Sequence, residues 1–413
     1  MTKDKSNTRT PIIRFPGFTG EWREKKLNEV FSRVTRKNAE NNQNVLTISA
    51  QYGLISQLEF FKKSVASSDV TGYYLLHKGE FAYNKSSSQG RPVGAIKPLR
   101  LYDKGVVSTL YICFKCNNPE EIDFWEQYFD AGILDSEILS IAQEGARNHG
   151  LLNISTGDFF GLNVILPTPP EMKKIAECLS SFDDVITAAE NELDSLKAHK
   201  KGLMQQLFPQ PGATTPALRF PGYSGEWEEK TFGELYNKNN IKNDLSFGVD
   251  KIISVANMYF KADANIGDKE YLKSYNVFRL GDIAYEGNKS ANYAYGRFVE
   301  NTIGDGIVSH VFDVYSPISK DHCFGYWKYA INYERIMRPV LEKSTIKSTM
   351  MTNLIAKDFL KQKTLVPTPA EQQKIAECLE AEDRMISVQE QKVESLKTHK
   401  KGLMQQLFPQ PEK

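Results

Sequence analysis

The string KKGLMQQLFPQP occupies residues 200–211 and returns unaltered at 400–411. No other feature of the chain limits its fold so tightly. The repetition reaches further. SLKAHKKGLMQQLFPQP (195–211) matches SLKTHKKGLMQQLFPQP (395–411), and LPTPPEMKKIAECL (166–179) matches VPTPAEQQKIAECL (366–379), both at an offset of 200. RFPGFTGEW (14–22) matches RFPGYSGEW (219–227) at an offset of 205. Weaker echoes lie between: KGEFAYNK (78–85) with LGDIAYEG (280–287), and GVVSTLYICF (105–114) with GIVSHVFDVY (306–315). The chain is a tandem duplication whose ends are nearly identical and whose middles agree only in plan. Two units are too few for a solenoid, which needs at least three. Uniform drift would not spare the ends, so a shared constraint holds them while the middles differ.

A length of 413 residues and a hydrophobic fraction of 40% supply at least two ordinary cores, since domains cluster at about 100–150 residues. No apolar run approaches the roughly 18–20 residues of a membrane span. The opening MTKDKSNTRTPIIRF has no secretory hydrophobic stretch, so a cytoplasmic location is expected. Five cysteines, an odd number, point to a reducing compartment rather than a disulfide framework. Cys113 and Cys116 stand three steps apart in a strand-like run, which sends them to opposite faces. The six histidines lack zinc-ligand spacing, and no metal site is expected. A net charge of +1 leaves a nucleic-acid partner open, but requires that any basic surface be local.

Each PTPxE string opens a helix with a capping-box pattern: Thr168 at N-cap, Pro169 at N1 and Glu171 at N3, then Thr368, Pro369 and Glu371. A seam then steps four and three residues from Ile175 through Leu179, Phe182, Ile186, Ala189, Leu193, Leu196, Lys200 and Leu203 to Leu207. That is a coiled-coil stripe. The second copy steps from Ile375 to Leu407 with Glu382, Gln389 and Lys400 interposed. The simplest partner for such a stripe is its own duplicate, paired antiparallel. Matching the ends sets Ile175 opposite Leu407 and Lys200 opposite Glu382, a pair expected to fix register. Phe182 then faces Lys400, and Leu193 faces Gln389. The rod from 175 to 207 spans about 50 Å at ~1.5 Å per residue. Gly202 and Gly402 lie off the stripe, where glycine costs about 1 kcal/mol against alanine. Close approach of a partner or a local kink would account for them.

The middles mix short strands with helices, so the expected class is α+β: two globular domains at 1–165 and 213–365, followed by connectors at 166–212 and 366–413. NNPEEIDFWEQYFDAGIL (117–134), with Asn118 at N-cap and Pro119 at N1, reads as a helix, and HCFGYWKYAINYERIMRPVL (322–341) as its counterpart. Four stretches carry side chains suited to nucleic acid. NKSSSQGR offers Asn84, Lys85, Ser86, Gln89 and Arg91, and EGNKSANYAYGR offers Asn288, Lys289, Ser290, Asn292 and Arg297. EGARNHG (144–150) adds Arg147 and Asn148, and KSTIKSTMMTN (343–353) adds Lys347. Lys and Ser suit phosphate oxygens, Arg suits guanine, and Asn or Gln suits adenine. The same residue types are ordinary in solvated loops.

Two dissimilar middles, each opened by an FPGF-x-GEW-like segment and closed by a P-x-P-x-E-x-x-x-I-A-x-x-L helix, resemble the specificity subunit of type I restriction–modification enzymes. The likeness covers essentially the whole chain and is most specific at 166–179, at 366–379 and in the duplicated LMQQLF ends. That family's helix opens with Glu-Gln, which Glu371-Gln372 keeps and Glu171-Met172 does not. The resemblance implies that each middle is a target recognition domain reading one half of a bipartite double-stranded DNA site. It implies that the paired helices set the unread spacer and dock two modification subunits, and that restriction subunits complete the nuclease. The chain itself would be non-catalytic and bind no cofactor, with S-adenosylmethionine, ATP and Mg held by its partners.

Two other classes compete. An enzyme acting on DNA would need Asn/Asp-Pro-Pro-Tyr/Phe for amino methylation or G-x-x-x-x-G-K-[ST] for a motor, and neither string occurs. Glu171-Met172-Lys173 has the letters of a nuclease E-x-K but lies in a first helical turn, and its duplicate Glu371-Gln372-Gln373 lacks the lysine. A coiled-coil scaffold with protein-binding heads would ignore DNA, whereas phosphate-anchored binding weakens steeply as salt rises.

Overall fold

The computed structural model describes residues 9–49, 52–62, 69–86, 91–142, 150, 152–239, 241–261, 269–290, 292–347 and 351–409. The chain divides into two compact units, 1–191 with 391–413 and 192–390. The division falls inside both expected connectors, because each unit includes the end of the helix that starts in the other.

Both units are built on a four-stranded antiparallel sheet with one spatial order. In the first unit the strands run Phe31–Arg33, Ile112–Cys116, Phe81–Asn84, Ala95–Pro98. In the second they run Tyr236–Asn239, Val314–Pro317, Ile283–Glu286, Arg297–Glu300. Strand alternation splits each sheet between two cores. Phe81, Tyr83 and Cys116 join the main core of the first unit, while Ala82 and Cys113 join a smaller one behind the sheet. Ile283 and Tyr285 against Ala284 repeat this in the second. The two cysteines thus face opposite ways, as their spacing requires.

Pro169–Leu207 and Pro369–Leu407 are each one unbroken 39-residue helix, continuous through Gly202 and Gly402. Every stripe position is buried or half-buried and none is exposed. In the first unit the two helices run antiparallel. Lys400 donates to both oxygens of Asp183 (2.6 and 2.7 Å), Phe182 meets His399 at 5.4 Å, and Lys397 pairs with Glu190. In the second unit Lys200 donates to Asp383, His199 Nδ1 lies 3.2 Å from Glu382, and Gln389 donates to Glu192 at 2.8 Å. These contacts sit one residue from the expected facings: Lys200 bonds Asp383 where Glu382 is expected, Phe182 meets His399 next to Lys400, and Gln389 bonds Glu192 next to Leu193. A stripe fixes which heptads meet, but each seam side chain sits among four residues of the facing helix. Charged ends therefore leave the apolar seam for the neighbouring position that water reaches.

These polar contacts also tie the helices to the middles. Gln127 donates to Asp183 at 2.8 Å, and at the equivalent place Tyr329 donates to Asp383 at 2.5 Å. Burial pushes the Asp383 carboxyl up. Hydrogen bonds from Lys200 and Tyr329, with the charges of Lys200 and Lys328, outweigh it and hold the group below the usual carboxylate range.

The capping box is replaced by a stronger contact. Glu171, 1% exposed, accepts a bidentate pair from Arg14 (2.8 and 2.6 Å), whose third nitrogen donates to Gly20 O. Arg219, Glu371 and Gly225 O repeat this fork (2.8 and 2.7 Å). Thr368 Oγ1 still accepts from Glu371 N at 3.4 Å, but neither glutamate turns back to its cap. The hydrogen bond to Glu171 holds the Arg14 guanidinium above its ordinary value. Two of the duplicated strings, RFPG and PTPxE, are the two halves of this ion pair.

The LFPQP ends close the cores. Phe408 is fully buried against Trp22, Phe124 and Tyr128, with centroids at 6.3, 5.8 and 5.6 Å. Phe208 is fully buried against Trp227, Tyr326 and Tyr333 at 6.3, 5.7 and 5.4 Å. Ile13 N donates to Gln406 O and Leu218 N to Gln206 O, so the same backbone clasp recurs. The helix expected at 117–134 starts as a 3-10 turn, Pro119–Glu121, capped by Asn118, continues as Ile122–Asp130, and is followed by a second helix, Asp135–Ile141. Its expected counterpart is likewise two helices, Phe324–Ala330 and Glu334–Ser344.

Candidate nucleic-acid interface

In each unit the second sheet strand of the hairpin Phe81–Pro98 or Ile283–Glu300 is reached through a loop pinned at its base. Tyr83 Oη donates to Val93 O at 2.7 Å, and Tyr285 Oη donates to Tyr295 O at 2.6 Å. Each loop closes on a glycine of positive φ, Gly94 (+83°) and Gly296 (+77°). A Cβ there would lie 2.0 Å from Asn84 O or 2.5 Å from Glu286 O, so only glycine lets the chain turn back.

The strand register corrects the reading of these loops. Tyr83 pairs with Ile96 and Asn84 with Ala95, where Tyr285 pairs with Phe298 and Glu286 with Arg297. Asn84 is therefore the counterpart of Glu286, and Ala95 of Arg297. The Asn-Lys-Ser letters are two positions out of step, and Arg91 has no arginine at its matching place. The loops share a scaffold, not a set of side chains.

Intramolecular partners occupy several candidates. Arg91 donates to Asp130 at 3.3 Å. Arg297 donates to Glu286 and to Ala256 O, both at 2.8 Å, with its guanidinium 5.3 Å from the Tyr293 ring. Asn84 Oδ1 accepts from Ser86 N, and Lys85 Nζ reaches Ile154 O at 3.5 Å. Ser290 and Tyr293 bond to each other through both backbones (3.1 and 3.3 Å), and Ser290 Oγ also accepts from Tyr293 N at 3.1 Å. This tight turn carries Asn292, which is exposed, as are Asn288 and Lys289. Lys347 ends the strand Thr345–Lys347. Gln89, Arg147 and Asn148 lie outside the described residues.

Stretches far apart in sequence meet. Leu152 N, just beyond the 144–150 stretch, donates to Lys85 O at 2.9 Å; Thr352 N, within the 343–353 stretch, donates to Gly287 O at 2.8 Å. In both units, then, the loop lies beside the chain that precedes the last short helix before the long one. In the second unit this chain is a hairpin, Thr345–Lys347 with Thr352–Leu354, missed in sequence because a Thr/Ser/Met-rich run lacks apolar alternation. Asn288 bridges to Met351 beside it. Among the described residues no cluster of His, Cys, Asp and Glu is placed to hold a metal, and no helix is long and apolar enough to cross a membrane.

No protein-family model matches the chain. Over 304 residues it is 21% identical to the specificity subunit of type I restriction enzyme MjaVIII from Methanocaldococcus jannaschii. That match spans 65% of this chain and 66% of the relative, just under two thirds of its length. The crystal structure of the S subunit of a type I restriction–modification system from M. genitalium covers 98% of this chain and 100% of its own, at 15% identity and a TM-score of 0.54. A structure from work on complex assembly and conformational transition of the type I R-M system covers 96% and 99%, at 16% identity and a TM-score of 0.52. Identities this low speak to architecture alone: the chain shares the fold of type I restriction–modification S subunits.

Proposed function

We propose that the chain is the sequence-reading, non-catalytic subunit of a type I restriction–modification assembly, acting on double-stranded DNA. Each unit reads one half of a bipartite site, and partner subunits carry out adenine methylation and cleavage with S-adenosylmethionine, ATP and Mg of their own. The observation that carries this is the duplicated pinned loop: an identical scaffold of Tyr, carbonyl and glycine under side chains that differ in kind and register. A shared scaffold with unlike tips is what two readers of different half-sites require. The long helices are proposed to set the unread spacer and dock two modification subunits.

Methylated adenines mapped genome-wide, with the chain present and deleted, test the reading. A bipartite motif that vanishes on deletion is expected. Exchanging 213–365 for the equivalent segment of another such subunit should rewrite one half only. Retention of both halves, or a map indifferent to the chain, would refute the proposal. Binding of the assembled complex to DNA should also weaken steeply between two salt concentrations; a salt-independent titration would favour a protein scaffold.

A further inference from the structure

The hairpin Thr345–Lys347/Thr352–Leu354 of the second unit has two unlike faces. Its inner face is locked: Thr352, 2% exposed, donates its hydroxyl to Tyr285 Oη at 2.6 Å and its backbone N to Gly287 O at 2.8 Å. Gly287 passes so close that a Cβ would stand 2.2 Å from Thr352 O. Because strand side chains alternate, residues on either side of Thr352 point the other way. Met351 and Asn353 are indeed exposed. Ile346, 59% exposed, is the antiparallel partner of Asn353, and exposed Asn288 is the bridge partner of Met351. Directly opposed side chains share a face, with Cβ atoms about 4.5–5.5 Å apart. The outer face therefore sets an amide beside an apolar group twice over.

Lys289, Lys343 and Lys347 flank this face in sequence, while the neighbouring acids are engaged, Glu286 by Arg297 and Glu342 by Tyr295 Oη. A two-stranded ribbon fits the major groove, where an amide pairs with adenine N6 and N7 and an apolar group packs on the thymine methyl. The arginine that would read guanine here, Arg297, is engaged by Glu286 and Ala256 O.

Resting on the function proposed above, we infer that this ribbon enters the DNA major groove and reads A·T pairs, with Asn353 on adenine and Ile346 on the thymine methyl. Asn288 and Met351 extend the same reading face. The bidentate match for an amide is adenine, and the aliphatic neighbour matches the methyl of the paired thymine.

The test uses the full chain assembled with its partner subunits. Methylation is mapped in cells carrying wild type, Asn353→Ala or Ile346→Ala, and anisotropy titrations at one salt concentration use a duplex bearing the mapped site. For Asn353→Ala, one A·T position in a single half should become degenerate, with the other half and the spacer kept. Affinity for the original site should fall about 5- to 150-fold, the cost of one bidentate base contact. Thymine-to-uracil substitution at that position should weaken wild type and leave Ile346→Ala indifferent, a readout that survives any folding defect of the variants. An unchanged motif, or an equal loss on every sequence including unrelated DNA, overturns the inference. So does loss of a partner subunit from the assembly with the motif intact, which would mark a protein interface instead. A wild-type assembly that neither binds nor methylates a bipartite site would instead fail the parent reading, and this inference with it.

Discussion

Replacing Phe408 with alanine is expected to loosen the first unit and spare the second. The side chain is fully buried and meets three aromatic rings of that unit, two of them edge-on, at 89° and 90°. Deleting a buried phenylalanine costs about 3–5 kcal/mol, and each aromatic pair adds roughly 0.5–1.5 kcal/mol beyond burial, which places this site near the upper end. With a urea slope of about 2 kcal/mol per M, the midpoint of the first unit should fall by about 2 M. Hydrogen exchange read by mass spectrometry resolves the two units within one chain. Peptides around Trp22 and Trp125 should lose protection in Phe408→Ala, while those around Trp227 and Trp327 keep theirs; Phe208→Ala should reverse the pattern. Equal loss in both units, or none in either, would refute the idea that each helix end completes a particular core.

Removing Arg14 leaves Glu171 charged, buried and uncompensated. Arg14→Ala should cost about 3 kcal/mol, the low end for a broken buried pair because the arginine keeps 16% exposure, and Arg14→Lys should recover only part because its ammonium has no fork. Chemical denaturation of the two variants checks this, and equal stability of both would count against a bidentate role. Burial lifts the Glu300 carboxyl, 3.5 Å from His322, to about 9, and lowers His322 to about 4. Glu300 in the folded chain keeps its proton where the unfolded chain has lost it, so its contribution is complete below the ordinary carboxylate range and is lost as pH rises toward 9. The His322 contribution runs the other way, complete above pH 6.5 and lost as pH falls toward 4. Glu300→Gln should gain stability over wild type as pH is raised from 5 to 9; a constant difference in melting temperature would show that Glu300 does not titrate. A Cβ on Gly202 or Gly402 would meet nothing within 4 Å. Alanine at either should stabilise the isolated chain by about 1 kcal/mol, measured by denaturation, and destabilisation would reveal a strained helix.

The long helices were legible because their stripe obeys one period for ten seam positions, and period is what burial enforces. The partner of Lys200 was not, because side-chain reach across a seam depends on where water enters, and one-letter spacing does not encode that. The pinned loops show the same limit from the other side. Their letters, Asn-Lys-Ser and Gly-Arg, suggest a correspondence that strand pairing at Tyr83 and Tyr285 overrules by two positions or more. Arg297 shows that a residue type alone does not reveal how its side chain is engaged, since Glu286 is its pairing partner in the strand ladder and holds its guanidinium. The ion pair of Arg14 with Glu171 joins positions 157 residues apart, and only their joint duplication hinted at it.

The core that Phe408 closes has a history in time as well as a shape. Trp22 leaves the ribosome early, and the ring that covers it is made 386 residues later, about 20–80 s at ordinary rates of synthesis. Through that interval the first unit waits with an aromatic socket open to solvent and to any passing chain. Removing the residues from 402 onward would take Phe408 with them and leave the earlier-made unit unfinished.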